Sequence, residues 1–380
     1  MKFVIFSDRS YNYIRPISEG LAKRLCELDH DVSIYYDGIY WLSDLNLFRV
    51  FFIDIYRFIL NLIKRNSKLY IYRFFKLLTF FTKKKNHELL EADCIIVVIN
   101  CPGSFYKNNI RRVEELRIKY NKPIVCYDFH YLPNQGWYKR ILDSNPENYG
   151  LERFDWYLTG SIVTEYAIPK QIPIIYSNIG FNIKSANLYP EQKKFMALLD
   201  FRRNGYDVER DLIINVLTAL NIPFVELSGR YTSDEIRSIY RKSSIYFISC
   251  RESFGLPILE LQLCGCYIFT PYREWAPAHF LDKSIYEKGV GKLGRNFVVY
   301  DNNEAELINY INEIKINYNP LDVIHNFKLD YPYYYDFNNE ELINFINLLQ
   351  SRKINSNSHF QYKDFNKYIS LSDNVILYDK

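Results

Sequence analysis

The chain opens on an apolar run, Phe3-Val4-Ile5-Phe6, of the length of a buried strand. Ile17, Leu21, Leu25 and Leu28 follow at helical spacing and predict a helix with one apolar face. After the turn Asp29-His30-Asp31 comes a second strand over 32–35. Strand, helix, strand is the opening of a parallel sheet, because parallel neighbours need a crossover between them. The pattern resumes with a strand at 94–99, a helix at 107–119 and a strand at 123–127, and further strands at 155–158 and 173–176. Gly180 and the polar stretch 182–190 then mark a boundary. A second alternation follows: strand 195–199, helix 207–220, strand 223–227, helix 232–241, strand 245–249 and a helix from Leu256. Strands at 267–269 and 297–299 and helices at 303–315 and 340–349 complete it, with a weak strand signal at 374–378. The expectation is an α/β fold of two doubly wound, Rossmann-like sheets facing across a cleft. Ligands bind such sheets at the carboxyl ends of the strands.

Length agrees with two units. The chain has 380 residues, 48% of them hydrophobic, which is more apolar material than one core usually absorbs. We divide it into an N-terminal domain over 1–186, a C-terminal domain over 187–345 and a tail over 346–380 that crosses back to the first. A charged fraction of 24% excludes wholesale disorder, and 14 Gly with 14 Pro exclude collagen-like architecture.

Charge changes the picture in one place. Residues 41–87 carry ten Lys or Arg against Asp44 and Asp54, a local charge of +8 in a chain whose net charge is +4. Within them, 44–85 read as helical and rich in Phe, Ile, Leu and Tyr, with a basic stripe through Arg49, Arg57, Lys64 and Lys68. A wide apolar face beside a basic stripe fits peripheral contact with an anionic membrane. Helices packed into the N-terminal core, or a dimer contact, fit it as well. Nucleic acid does not, because the aromatics follow helical apolar spacing and are packed rather than offered for base stacking. Seven cysteines without paired spacing suit a reducing compartment. Cys264 and Cys266 make one C-x-C and no second pair, and read as small buried residues rather than metal ligands. No signal peptide or apolar run of membrane-spanning length is evident, so the expected place is the cytoplasm, at the inner face of a membrane if 44–85 bind one.

The chemistry concentrates in Arg251-Glu252-Ser253-Phe254-Gly255-Leu256-Pro257-Ile258-Leu259-Glu260, between a predicted strand and a predicted helix. Pro257 suits a first helical turn, where a missing N–H costs nothing. Gly255 permits close backbone approach. Free N–H groups and the helix dipole make such a turn an anion site suited to a diphosphate. Glu252 and Glu260 flank it, and a carboxylate matches the two hydroxyls of a vicinal diol. Phosphates in the middle and hydroxyls at the ends describe a nucleotide sugar. For an isolated pair of Glu the plainer reading, solvated charges at a helix end, would be preferred.

The same stretch resembles the E-x7-E signature of the retaining GT-B glycosyltransferases, family 4. The resemblance extends in element order from Tyr231 to Asn303, and more loosely over 1–38. It implies that Glu252 contacts the donor sugar and is catalytic, and that Glu260 binds the nucleotide ribose. It also implies that Ser253, Phe254, Gly255 and Leu256 lie near phosphate and sugar. A basic pair after the first strand of the second domain usually clamps the diphosphate; here Arg202, Arg203 and Arg210 are candidates, each suited to bidentate phosphate contact. Gly229, in Ser228-Gly229-Arg230, could lie near the nucleotide or make an ordinary turn. His130 stands at the family's position for a cleft histidine, and is read as catalytic against a plain strand-end histidine. Asn178-Ile179-Gly180 resembles the turn before the interdomain linker. Trp275 and His279 are candidate donor-pocket residues, with core packing favoured for Trp275. The family's Gly-Gly loop after the first strand is replaced by Ser7-Asp8-Arg9-Ser10-Tyr11.

The resemblance implies a nucleotide-diphosphate sugar as donor substrate, a glycan or lipid-linked glycan as acceptor, and no cofactor or metal. The pathway by family habit is bacterial surface polysaccharide assembly. A nucleotide-sugar epimerase or phosphorylase of the same fold, or a non-catalytic sugar-nucleotide-binding subunit, are the alternatives. The one Asp-x-Asp, Asp29-His30-Asp31, sits in a predicted turn and disfavours a metal-dependent transferase.

Overall fold

In a computed structural model of the chain, the first half forms strands β1 (Lys2–Ser7), β2 (Asp31–Tyr35), β3 (Cys94–Ile99), β4 (Ile124–Asp128), β5 (Trp156–Thr159), β6 (Val163–Thr164) and β7 (Tyr176–Asn178). The structure describes residues 1–7, 14–36, 84–99, 116–128, 154–160, 176–281 without 193 and 253, and 291–358 without 302, with short pieces at 55–56, 58–60, 63, 113, 163–164 and 376–377. All of these strands but β6 join one parallel sheet in the order β2-β1-β3-β4-β5-β7. Phe3, Val4, Ile5 and Phe6 are all fully buried, as a strand covered on both faces must be. Helix α1 (Ile14–Glu27) covers the sheet with Ile14, Ile17, Leu21 and Leu25. Each such side chain contributes about 1.5–3 kcal/mol by leaving water. A short helix α2 (Lys84–Glu91) leads into β3.

The second half repeats the plan on shorter strands. β8 (Ala197–Leu199), α3 (Asp207–Ala219), β9 (Phe224–Glu226), α4 (Ser233–Lys242), β10 (Ile245–Phe247), α5 (Leu256–Leu263), β11 (Tyr267–Thr270), β12 (Phe297–Val299) and α6 (Glu304–Asn317) follow one another. The sheet is parallel in the order β12-β11-β10-β8-β9. From β8 the chain winds outward to β9, then returns past β8 to β10 and continues the other way. The carboxyl ends of β8 and β10 therefore flank the switch point, where a doubly wound sheet opens a crevice. The two sheets in sequence are the α/β architecture expected.

Two helices have no counterpart in the sequence reading. α7 (Pro320–Asp330) starts at Asn319, whose side chain accepts from the Leu321 N–H, with Pro320 in the first turn. α8 (Pro332–Tyr335) continues it and carries the chain back to the first sheet. There the Phe181 N–H donates to the Tyr333 carbonyl (2.6 Å) and the Asn338 N–H to the Ile179 carbonyl (2.8 Å). Gly180, at φ +68°, makes this crossing possible: a Cβ there would lie 2.1 Å from the Tyr333 oxygen. Helix α9 (Asn339–Gln350) then packs on β7, burying Leu342, Phe345 and Leu349 in the same core as Phe3 and Ile5. That core also takes in Phe254 and Leu259, so it runs from the first sheet into the loop and helix beside the second. Near the C-terminus β13 (Ile376–Leu377) pairs with β6. Among the described residues, no helix is long and apolar enough to cross a membrane.

Candidate functional site

The loop from β10 to α5 stands at the switch point of the second sheet. Gly255 is the residue that caps α5, at φ +60°. A Cβ on it would lie 2.7 Å from Glu252 Cγ and 2.9 Å from Ile258 Cδ1, so glycine lets the Glu252 side chain fold over the helix start. The Glu252 N–H donates to the Trp275 carbonyl (2.9 Å), which fixes its backbone. Pro257 has no N–H, and the Ile258 N–H donates to the Gly255 carbonyl (2.9 Å). Among the described residues, the N–H groups of Gly255 and Leu256 donate to no acceptor, as the first turn of a helix leaves them. The Phe254 ring is buried at the junction, 5.2 Å from Phe181 and 6.0 Å from His279, so its backbone rather than its ring is what a ligand can meet.

His279 sits behind this loop, fully buried. Its Nε2 hydrogen-bonds the Phe254 carbonyl at 2.5 Å. Burial pulls its pKa down from 6.5 to about 4, so the ring is neutral and Nε2–H is the donor. Tyr331 and Tyr334 donate to the His279 and Ala278 carbonyls, both at 2.7 Å, tying the segment to α7 and α8. His279 thus supports the loop from behind. Trp275 packs edge-on against Tyr206 at 5.2 Å and is core, as the sequence favoured.

Glu260 lies one turn further along α5. The helix is buried from Ile258 to Leu263, so an apolar wall surrounds the carboxylate. One charged partner reaches it. Arg237 Nε and Nη2 both donate to Oε1, at 3.1 Å and 2.7 Å, and Oε2 accepts no hydrogen bond from the described residues. Burial raises the Glu260 pKa, and the Arg237 guanidinium opposes that rise. Arg237 is held in place by a capping box at the start of α4. There Glu235 N–H donates to Thr232 Oγ1 (3.3 Å) and Thr232 N–H donates to Glu235 Oε2 (2.7 Å). Arg237, Leu256 and Glu260 line one wall of a cleft whose other wall is α1, Tyr127 and the turn at Ile183–Ala186. The cleft therefore lies where the two halves meet.

The three arginine candidates part company. Arg210 is buried and engaged through all three nitrogens: Nε and Nη2 donate to Glu226 Oε2 at 3.2 and 2.8 Å, and Nη1 to the Asp200 carbonyl (2.8 Å) and Ser249 Oγ (3.3 Å). Arg202 is exposed and paired with Asp207 at 2.8 Å. Arg203 faces the crevice. It lowers the pKa of Asp200, which burial raises, and it acts on the Cys250 thiol, which burial and then Glu252 push up to about 11. Arg203 and Glu252 therefore stand about the same point at the ends of β8 and β10. Gly229 occupies an exposed turn between β9 and α4 at φ +76°, with nothing within 4 Å of a Cβ. Cys264 and Cys266 are buried, their thiols pushed up by burial, Cys264 to about 12.

Two of the predicted residues, His130 and Ser253, lie outside the described residues, as do the loop 8–13 and the greater part of 44–85 and 107–119. No group of three or more His, Cys, Asp or Glu that could hold a metal ion occurs among the described residues. Arg237 had no signal in the sequence. It is one of several charges on an amphipathic helix, and only the packing of α4 on α5 brings it to Glu260.

No family model matches the chain, and no curated protein matches it in sequence. Solved structures are similar to it in fold. The UDP-GlcNAc 2-epimerase from Neisseria meningitidis, solved with UDP-GlcNAc, is 11% identical over 92% of this chain and 100% of that one, at a TM-score of 0.48. An α,α-trehalose 6-phosphate synthase from Burkholderia multivorans is 12% identical over 92% and 98%, at 0.47. The calicheamicin glycosyltransferase is 11% identical over 92% and 98%, at 0.42. At these identities the likeness is one of overall architecture and assigns no residue a role.

Proposed function

We propose that the chain is a retaining glycosyltransferase of the family-4 kind, moving a sugar from a nucleotide-diphosphate donor to a glycan or lipid-linked glycan acceptor. The observation that supports it most is Glu260: a carboxylate buried at the cleft wall, neutralised on one oxygen and open on the other, one turn into the helix that Gly255 starts. In this reading Glu260 accepts from the ribose diol. The Gly255 and Leu256 N–H groups and Arg203 take the diphosphate, and Glu252 takes a hydroxyl of the transferred sugar.

The reaction then follows from where charge develops. The bond from the anomeric carbon to the diphosphate oxygen lengthens, leaving an oxocarbenium-like sugar and a gathering negative charge on the leaving group. Preorganised N–H donors and Arg203 meet that charge as it develops. The acceptor hydroxyl attacks from the face the diphosphate leaves, its proton passing to the departing phosphate oxygen, which retains the configuration. No metal is part of this reading. His130, from the first domain, would stand at the sugar. Arg202 and Gly229 keep secondary places as donor contacts, and Arg210 supports the crevice from beneath. Contact of 44–85 with anionic lipid would bring a lipid-linked acceptor to the cleft, and a place at the cytoplasmic membrane face in polysaccharide assembly accords with that.

The test is turnover of a panel of UDP-, GDP-, ADP- and CDP-sugars with and without acceptor glycans, with product anomers read by NMR. Acceptor-dependent release of nucleoside diphosphate with retained configuration is expected, and Glu252→Ala should lower kcat at least 100-fold with nucleotide binding intact. Conversion of the donor without acceptor would replace the reading by an epimerase. Binding without turnover would replace it by a non-catalytic subunit.

A further inference from the structure

The Arg237–Glu260 pair shares its hydrogen bonds unevenly between the two carboxylate oxygens. A guanidinium facing a carboxylate usually engages both oxygens, fork to fork. Here both donors converge on Oε1, and Oε2 is left without a protein donor among the described residues. Glu260 is 7% exposed, so an ordinary surface ion pair does not describe it. Burial pushes that carboxylate toward its protonated form, and a cation beside it opposes the shift. As a neutral acid it would offer a ligand one donor and a weaker acceptor instead of two charged acceptor oxygens.

We propose that Arg237 is a positioning residue of the nucleotide site: it keeps the buried Glu260 ionised through one oxygen and reserves the other for the vicinal hydroxyls of a ribose. This rests on the donor reading above and deepens it, since it names a second residue, on a different helix, on which ribose recognition depends. The surroundings leave Arg237 as the group that controls Glu260. From α4, Tyr240 also faces it, with its phenol held neutral by burial. On α5 itself, Cys264 is its nearest ionisable neighbour and is likewise neutral. From β4 the cleft presents Tyr127; from the turn at Ile183–Ala186 it presents Asn182 and Ser185, and from α1 Ile17 and Gly20, none of which carries charge. Deleting the guanidinium therefore removes the one positive charge at the carboxylate. Burial is then unopposed, so Glu260 shifts toward its protonated form and regains charge as pH rises.

The experiment is calorimetric titration with UDP, GDP, ADP and CDP at several pH values between about 6 and 9, on wild type, Arg237→Gln, Arg237→Lys and Glu260→Gln. For the nucleotide that binds wild type, Arg237→Gln should bind about 10- to 100-fold more weakly at pH 7, the size of a lost charged hydrogen bond. Its affinity should climb toward wild type by pH 9. Arg237→Lys keeps the charge without the two-donor contact and should bind between wild type and Arg237→Gln, with less pH dependence than Arg237→Gln. Glu260→Gln should be weak and flat with pH. The 2′,3′-dideoxy form of the same nucleotide, tested on wild type alone, should bind as weakly as the parent binds Glu260→Gln, which keeps the test independent of how any variant folds. Wild-type affinity in Arg237→Gln at every pH, a loss that does not vary with pH, or full affinity for the dideoxy form would each overturn the proposal while leaving the donor reading standing. Failure of wild type to bind any nucleoside diphosphate would overturn both.

Discussion

Two arginine–glutamate pairs belong to the second sheet, and they are built the opposite way round. In each, Nε and Nη2 of the arginine converge on one carboxylate oxygen. In Arg210–Glu226 the arginine side chain is 5% exposed and the glutamate 45%. In Arg237–Glu260 the exposures are 20% and 9%. The buried member decides what each pair is for. Buried Arg210 spends both Nη1 donors on the Asp200 carbonyl and Ser249, so it ties the ends of β8 and β10 to β9 with four of its five N–H groups. Buried Glu260 keeps an unused acceptor at the cleft wall. A cation spent on three strands makes a frame, and a half-satisfied anion makes a seat.

The difference can be broken at either end. The largest effect on folding should come from Arg210→Ala, which leaves the Asp200 carbonyl without its donor and the β8–β10 junction unbraced. We expect a loss of about 3 kcal/mol in urea unfolding, with nucleotide affinity of the folded protein changed by less than about threefold. A loss of binding without a loss of stability would make Arg210 a diphosphate ligand after all. Glu226→Ala, on the exposed side of the same pair, should cost about 1 kcal/mol or less.

His279 sharpens the comparison from a third side, as a buried ionisable group with no charged partner. Its folded pKa lies near 4 and its unfolded value near 6.5. Between these values the unfolded chain binds the extra proton, so stability from this group is complete above 6.5 and is lost as pH falls toward 4. The loss should reach roughly 2–3 kcal/mol by pH 4.5, at 1.36 kcal/mol per unit. It is read as a falling urea midpoint between pH 7 and 4.5, and His279→Gln should flatten that fall. An unchanged slope in His279→Gln would assign the acid lability elsewhere.

Much of this was legible before any coordinates. Short continuous apolar runs, and a spacing of 3.6 between them, placed most strands and helices of both sheets, because burial on both faces leaves near-continuous apolar strands such as Phe3–Phe6 and Ile245–Phe247. Gly255 and Pro257 marked the helix start because each has a backbone property no other residue shares. Helices α7 and α8 were missed although Asn319-Pro320 signals a helix start; their aromatic residues, Tyr331 to Tyr335, carry no clear helical stripe. Three strands of the second sheet, β8, β9 and β10, came out shorter than read, since apolar residues such as Phe195 and Ile248 pack at the ends of ladders without joining them. Which arginine meets which carboxylate was not legible at all. Arg202, Arg203, Arg210 and Arg237 are chemically alike, and only the packing of α3 on its sheet and of α4 on α5 separates a guanidinium spent on the frame from one that serves a site.

The most direct test of the account is the affinity of wild type and Glu260→Ala for nucleoside diphosphates, measured with the urea midpoint of both. The account predicts at least a 30-fold loss of affinity for the preferred nucleotide in Glu260→Ala, about 2 kcal/mol. The midpoint should fall by no more than the loss of Arg237's partner accounts for, because burial of the carboxylate itself opposes folding at neutral pH. Equal affinity in the two proteins would contradict the account: Glu260 would then be a part of the frame and not the seat of the nucleotide.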